Sequence, residues 1–183
     1  MIIVSGPSGA GKGTLIRRMQ DRFPFLRTAI SATTRPMRPG EQHGREYHFL
    51  SEAEFLGHVA EDDFLEHVVY AGNRYGTLRE EVERHLRVGD SVILEIELRG
   101  ARALREALPD AVTIFIEPPS MDELIRRLRA RNTEAEADIQ ARLSESLVEL
   151  DARQEFNYRI RNDDLDTASA DMARIVDAVT GSV

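Results

Sequence analysis

The stretch Gly6-Pro7-Ser8-Gly9-Ala10-Gly11-Lys12-Gly13-Thr14 decides the fold of this chain. It follows the apolar run Met1–Val4 and precedes a helical pattern that contains Leu15, Ile16 and Met19. A strand, a glycine-rich loop with a lysine and a helix are the context in which a G-x4-G-K motif binds phosphate. The N–H groups of such a loop converge on an anion, and the helix N-terminus adds a favourable dipole. The stretch therefore predicts a phosphate-binding loop.

The residues around the lysine refine this prediction. Lys12 is the only lysine in the chain, and a compact ammonium is suited to contact the outer phosphates as a point charge. The Walker pattern has Ser or Thr directly after the lysine as a magnesium ligand, but Gly13 stands here and Thr14 follows. This form resembles the loop of nucleoside monophosphate kinases, adenylate kinases especially. The resemblance implies that the nucleotide phosphates and waters hold magnesium, with less direct ligation by the protein.

The amino-acid composition is that of an ordinary globular protein. Its 183 residues are 42% hydrophobic and 31% charged, as in one globular domain with a sizeable core. The net charge of -8 argues against broad binding to nucleic acid or anionic membranes. There is no cysteine, which excludes disulfides and cysteine-based zinc sites. The first apolar run is too short for a signal peptide or membrane span, so we expect a cytoplasmic protein.

Strand and helix patterns alternate along the chain, which predicts an α/β fold with a parallel sheet sandwiched by helices. Beyond the first strand and helix, the sequence predicts strands at residues 27–32, 46–50, 64–70, 91–97, 112–116 and 158–161. It predicts a turn at residues 72–76, and helices that begin at Ser51, Thr77, Gly100, Ser120 and Thr133, followed by a C-terminal helix. The helix from Thr133 is expected to bury Ile139, Leu143, Leu147 and Leu150.

Two further groups of residues point to ligand binding. Glu95 and Glu97 follow a buried strand, at the sheet edge where open α/β sheets bind ligands. A Pro-bounded basic loop and nearby tyrosines could form a second anion site, since paired guanidinium groups bind phosphate strongly. The alternative for that loop is an ordinary solvated surface. The members of this second group are Arg35, Arg38, Tyr47 and Tyr75.

Nearly the whole chain resembles guanylate kinases, with the matching segments in the same order. The segment that carries most of the likeness is their GMP-binding region, matched here by residues 31–41 and 44–47. The resemblance implies one domain over residues 1–183. Its parts are a core (about 1–30, 78–125 and 145–183), a small mixed α/β GMP-binding insertion (about 31–77) and a helical lid (about 126–144). The other matching segments lie at residues 64–66, 72–77, 94–97, 118–120, 127–131 and 162–164.

The resemblance also implies roles for individual residues. For ATP they are Gly6, Pro7, Ser8, Gly9, Ala10, Gly11, Lys12, Gly13, Thr14 and Asn162. For GMP they are Ser31, Arg35, Arg38, Glu41, Tyr47, Glu66, Tyr75, Thr77, Glu95 and Glu97. The catalytic set is Lys12, Arg35, Arg131 and Arg142. No side chain is expected to bind magnesium directly, although the ion would lie near Glu95.

The chemistry of guanine supports one of these roles. A carboxylate such as Glu66 can accept hydrogen bonds from guanine N1–H and N2–H2, whereas adenine lacks this pair of donors. At Glu95 and Glu97 many family members have aspartate, so this chain keeps the charges with a longer reach.

We therefore predict a guanylate kinase that transfers the γ-phosphoryl group of MgATP to GMP, and to dGMP. We expect it to act as a monomer or small homo-oligomer with nucleotides as its partners. Two alternatives remain at this point. One is a P-loop kinase for another small phosphate acceptor, and the other is a non-catalytic guanylate-kinase-like interaction domain.

Overall fold

A computed structural model describes residues 1–70, 72–130 and 136–181, without the side chains of residues 130, 136–139, 141 and 142. The strands are β1 (Ile2–Ser5), β2 (Leu26–Thr28), β3 (Ala32–Thr33), β4 (His48–Phe49), β5 (Phe64–Tyr70), β6 (Asn73–Leu78), β7 (Ser91–Glu95), β8 (Val112–Glu117) and β9 (Tyr158–Arg161). The helices are α1 (Lys12–Arg22), α2 (Glu52–Ala60), α3 (Arg79–Arg87), α4 (Leu98–Ala107), α5 (Met121–Ala130), α6 (Glu136–Asp151) and α7 (Leu165–Thr180).

The larger sheet is parallel throughout and has the order β2-β7-β1-β8-β9. β1 is its central strand because Ile2, Ile3 and Val4 are fully buried and pair with strands on both sides. The carboxyl end of β1 leads directly into the glycine-rich loop. In the register of the sheet Val4 lies opposite Glu95, so the end of β7 and this loop share one edge.

Helices cover both faces of this sheet, as its alternating side chains require. Ile2 and Val4 pack on one side and Ile3 on the other. The first side is covered by α1 and α7, through Leu15, Ile16, Met19, Met172 and Val176. The second side is covered by α3 and α4, through Val82, Ala101 and Leu104. The predicted helix-sandwiched parallel sheet is therefore confirmed.

A smaller mixed sheet has the order β4-β3-β6-β5. The single strand predicted at residues 27–32 is wrong, because the chain there passes from one sheet to the other. Leu26–Thr28 pairs with β7 in the parallel sheet, whereas Ala32–Thr33 pairs with β4 and β6 in the small one. Local β propensity cannot show which partner a strand takes.

The hairpin of β5 and β6 also differs from the sequence prediction. The predicted turn at residues 72–76 is wrong from Asn73 onward, where β6 begins and runs antiparallel to β5. Thr77 is not a helix cap, because it lies within β6 and the residue before α3 is Leu78. The Ser51 capping box of α2 is confirmed: Ser51 Oγ accepts from the Glu54 N–H, and the Glu54 carboxylate accepts from the Ser51 N–H.

Helix α6 keeps Leu143 and Leu150 half-buried but exposes Leu147, which was expected to be buried. Leu147 is 54% exposed, while Ser146 and Glu149 are buried. Its predicted start at Thr133 lies outside the described residues. Strand β7 ends at Glu95 and α4 already begins at Leu98, so Glu97 belongs to the connection between them. No helix in the described part of the chain combines the length and the apolar character needed to cross a membrane.

Candidate active site

A cleft of about 370 Å³ lies where the carboxyl edge of the parallel sheet faces the small sheet. The residues that line it from the phosphate-binding loop are Gly6, Ser8, Gly9, Gly11, Lys12, Gly13 and Thr14. Those that line it from the predicted GMP set are Ser31, Arg35, Arg38, Glu41, Tyr47, Glu66, Tyr75, Glu95 and Glu97. Two groups far apart in sequence therefore meet in one cavity.

The glycine-rich loop is held in a shape that only glycine allows at its first position. Gly6 has φ +138°, and a Cβ there would lie 2.3 Å from the Ile116 carbonyl oxygen on β8. The loop thus leaves β1 in close contact with its neighbour strand before turning into α1. This contact fixes where the loop's N–H groups converge.

Asn162 braces the same loop from the other side. Its side-chain amide donates to the Ala10 carbonyl at 2.7 Å, and the residue is 5% exposed. Gly11 must be glycine here, because it has φ +96° and a Cβ would lie 2.3 Å from Asn162 Nδ2. The contact seen for Asn162 is with the loop, and its assignment to ATP stays a prediction.

Lys12 folds back over the loop that it follows. Its Nζ donates to the carbonyls of Gly6 at 2.6 Å and Pro7 at 3.2 Å, and lies 4.0 Å from Glu95 Oε1. The ammonium is therefore positioned at the mouth of the loop by backbone dipoles and one carboxylate. A bound phosphate would lie within reach of the same group.

On the opposite wall Arg35 forms the centre of a basic and aromatic surface. Its guanidinium Nη2 donates to both oxygens of Glu41, at 2.8 and 3.0 Å, and lies over the ring of Tyr47. Burial alone would raise the pKa of Glu41, but hydrogen bonds from Arg35 and from the Arg38 backbone outweigh it and hold that pKa below its usual value. Arg35 is thus oriented before any anion binds.

Tyr47 and Tyr75 complete this surface with rings 5.9 Å apart in an edge-on arrangement. Burial is the main cause that raises the pKa of Tyr47 to about 12, and the negative charge of Glu95 is the second cause. The hydroxyl therefore keeps its proton at neutral pH. It can donate a hydrogen bond to a phosphate oxygen.

Glu66 is a buried carboxylate at the base of the small sheet, 7% exposed. The Thr77 hydroxyl donates to its Oε1 at 2.8 Å across the β5–β6 pair. Its Oε2 faces Gly100 of α4, where a Cβ would lie only 2.7 Å away. Burial raises the pKa of Glu66, and the hydrogen bonds from Thr77 oppose this. Thr77 contacts Glu66 and does not itself line the cleft, so its assignment to GMP stays a prediction.

Glu97 lines the same cleft together with a carboxylate that was not predicted from the sequence, Glu149 of α6. Burial, then the charge of Glu149, raises the pKa of Glu97 to about 8, with Lys12 opposing. Glu97 Oε2 is buried without a hydrogen-bond partner among the described residues. The only sequence signal for Glu149 was an acidic residue on the side of α6 that proves to be buried. The hydrophobic pattern of that helix predicted Leu147 as a buried residue instead.

Some predicted site residues do not line this cleft, and others lie outside the described part of the chain. Pro7 and Ala10 belong to the loop without lining the cavity. Arg131 lies outside the described residues, as does the side chain of Arg142, whose backbone is in α6. The lining residues that sequence reasoning did not find are Arg17, Val68, Tyr70, Gly76, Ile96, Gly100 and Glu149.

The chain is similar to known guanylate kinases in both sequence and structure. A family model described as guanylate kinase matches residues 1–179. A guanylate kinase of Rubrobacter xylanophilus is 51% identical over 176 residues, covering 96% of this chain and 92% of that protein. One of Synechococcus sp. (strain JA-3-3Ab) is 48% identical, covering 96% and 81%. A crystal structure of guanylate kinase from Anaplasma phagocytophilum has a TM-score of 0.79 at 30% identity, covering 97% of this chain and 84% of that one.

Proposed function

The chain belongs to the guanylate kinase family, and we infer that it transfers the γ-phosphoryl group of ATP to GMP, and to dGMP, giving ADP and the nucleoside diphosphate. The observation that carries this proposal is the single cleft with two unlike walls. One wall is a phosphate-binding loop with Lys12, and the other joins an arginine and tyrosine surface to a buried carboxylate. Such a cleft can hold two nucleotides with their phosphates facing each other.

The reaction needs no nucleophile from the protein. A phosphate oxygen of GMP forms a bond to the γ-phosphorus, the bond from that phosphorus to the β–γ bridging oxygen breaks, and ADP leaves with the electron pair. Catalysis then depends on positioning and on neutralising charge. Lys12 lies where the donor phosphates would bind, and Arg35 and Tyr47 where the acceptor phosphate would bind.

The base of the acceptor is selected at Glu66. A carboxylate that accepts from guanine N1–H and N2–H2 would lose both bonds with AMP and remain buried and unpaired. The Thr77 hydroxyl orients the carboxylate through Oε1 and uses only one of its lone pairs, so the remaining lone pairs can accept from the base. This favours GMP over the first alternative, another phosphate acceptor.

Magnesium is the ion we propose to accompany ATP. Among the described residues no group of three or more His, Cys, Asp or Glu side chains could hold a metal by itself. Glu95 places one carboxylate beside Lys12 at the loop. A single carboxylate fits a hard cation that takes most of its ligands from phosphate and water. When bound, the ion neutralises charge on the phosphate oxygens.

The division into core, insertion and lid is part of the proposal. The small sheet spans residues 32–78, which supports an insertion that closes over GMP. Closure of insertion and lid would exclude water, which is a competing acceptor. We propose that Arg131 and Arg142 clamp the transferring group from the lid side. We further propose a cytoplasmic enzyme that is a monomer or small homo-oligomer.

A coupled ADP-release assay tests this function. With ATP and Mg²⁺ present, ADP should appear when GMP or dGMP is added and not when AMP or ribose phosphate replaces it. Turnover with AMP at a similar rate would favour the first alternative. Binding of GMP without any turnover would favour the second, a non-catalytic interaction domain.

A further inference from the structure

Strand β5 presents a row of alternate side chains to the cleft. Glu66, Val68 and Tyr70 all line the cavity, whereas Val69 is 51% exposed and belongs to the opposite face of the strand. This alternation follows from the pleat of a β-strand, in which successive side chains point to opposite faces. Of the three residues in the row, only Glu66 was predicted from the sequence to bind the acceptor. The proposed function gives Val68 no role.

Val68 lies between the two ends of the proposed acceptor site. Two residues along β5 separate it from Glu66, a step of about 7 Å, which is close to the distance from the N1 and N2 edge of guanine to its sugar. In the register of the hairpin Val68 lies opposite Tyr75 of β6, and opposite residues of an antiparallel pair share one face. A nucleotide with its base at Glu66 and its phosphate at Tyr75 therefore places its sugar beside Val68.

We propose that Val68 faces the 2′ carbon of the acceptor's sugar and is the residue that determines how strongly the enzyme distinguishes GMP from dGMP. Strong discrimination requires a protein group that pairs with the 2′-hydroxyl and is left unpaired when the hydroxyl is missing. A valine side chain has no donor or acceptor, so it provides no such group. The inference rests on the proposed function, and it assigns the choice of sugar at that site to one residue.

Two substitutions of Val68 should shift the sugar preference in opposite directions. The preference is measured as the kcat/KM for GMP divided by that for dGMP. Val68→Thr suits a strand and adds a hydroxyl that can pair with the 2′-hydroxyl, so the ratio should rise about 3- to 10-fold. Val68→Ile adds a methyl group where the 2′-hydroxyl lies, so the ratio should fall about threefold or more. Val69→Thr, the matched change on the exposed face, should leave the ratio unchanged.

Several results would overturn the inference. They are Val68 variants that shift the ratio in the same direction or by less than about twofold, or a Val69→Thr variant that shifts it as much as Val68→Thr. A parent that already prefers GMP by more than about tenfold would also overturn it, because another group would then pair with the 2′-hydroxyl. Calorimetric titration with GMP and dGMP measures the same preference without turnover, and thermal melting checks that each variant keeps its fold.

The parent's own activity separates the two proposals. A parent that phosphorylates GMP, together with Val68 variants of unchanged sugar preference, overturns this inference alone. A parent without turnover overturns the proposed function.

Discussion

The Lys12 side chain both contacts its own loop and supplies the positive charge beside the expected phosphate site. It donates to two carbonyls of its own loop and lies beside Glu95, so removal leaves the loop without its cation. We predict that Lys12→Ala lowers kcat by about 10²- to 10³-fold, the usual effect of losing one group that stabilises transition-state charge. GMP affinity, measured by calorimetry, should stay within about threefold because the GMP wall is built by other residues. A variant that keeps most of its rate would contradict this role.

Glu66 should decide which base is accepted. In Glu66→Gln the amide keeps an acceptor for Thr77, but it presents an N–H2 where guanine also donates. We predict that the preference for GMP over AMP, as a ratio of kcat/KM values, falls by roughly 10- to 100-fold. Thr77→Val is the matched control, since it removes the hydroxyl that donates to Glu66 and leaves the carboxyl group in place, and it should reduce the ratio less. An unchanged ratio in Glu66→Gln would remove Glu66 from the guanine site.

The same residue should make stability depend on pH. Burial raises the pKa of Glu66 above its ordinary value of 4.5, so the folded chain keeps its proton over a pH range in which the unfolded chain has lost it. This stabilisation is fully present below 4.5 and is lost as the pH rises through the folded pKa. The glutamine of Glu66→Gln cannot titrate, so this variant does not lose that stabilisation. Its free energy of unfolding should therefore rise relative to that of the parent as the pH goes from acid to neutral. Urea titrations of both proteins at several pH values without nucleotide measure this; a constant difference would contradict it.

Among the elements, α4 determines whether Glu66 can lie where it does. Gly100 faces its Oε2, and a methyl group at that position would come within 2.7 Å. We predict that Gly100→Ala weakens GMP binding by about 10-fold while the fold is kept, because alanine favours a helix. Gly57→Ala in α2 is the matched control, since a Cβ there meets nothing within 4 Å. It should raise the melting temperature slightly and leave GMP affinity unchanged; equal effects of the two changes would contradict the steric argument.

How far the sequence predicts each element depends on whether the signal is local. The loop at Gly6 to Thr14 and the Ser51 capping box carry their own chemistry and are found as expected. The division of residues 26–33 between two sheets depends on partners distant in sequence, which no local pattern contains. Glu149 was missed for a related reason. Its burial follows from the cleft that α6 faces, whereas amphipathic patterns assume that a buried face is apolar.

Across the whole molecule, we propose that the two sheets serve different nucleotides. The parallel sheet presents the loop and Glu95 at one edge, and the small sheet presents Glu66 and the basic surface. The sequence analysis placed most of these residues by resemblance, because their convergence depends on the crossing from β2 to β3. Their roles in binding remain proposals. The fold explains why residues from 6 to 149 can line one cavity.

In the proposed reaction, one cleft holds both nucleotides with their phosphates in line. A two-ended ligand, guanosine and adenosine joined 5′ to 5′ through a polyphosphate chain, tests it directly by calorimetry. We predict that it binds about 100-fold more tightly than ATP or GMP alone, because the second end binds at high effective concentration. The matched ligand with adenosine at both ends should bind no better than ATP. A guanosine–adenosine ligand that binds no more tightly than the tighter of ATP and GMP would contradict this arrangement of the two nucleotides.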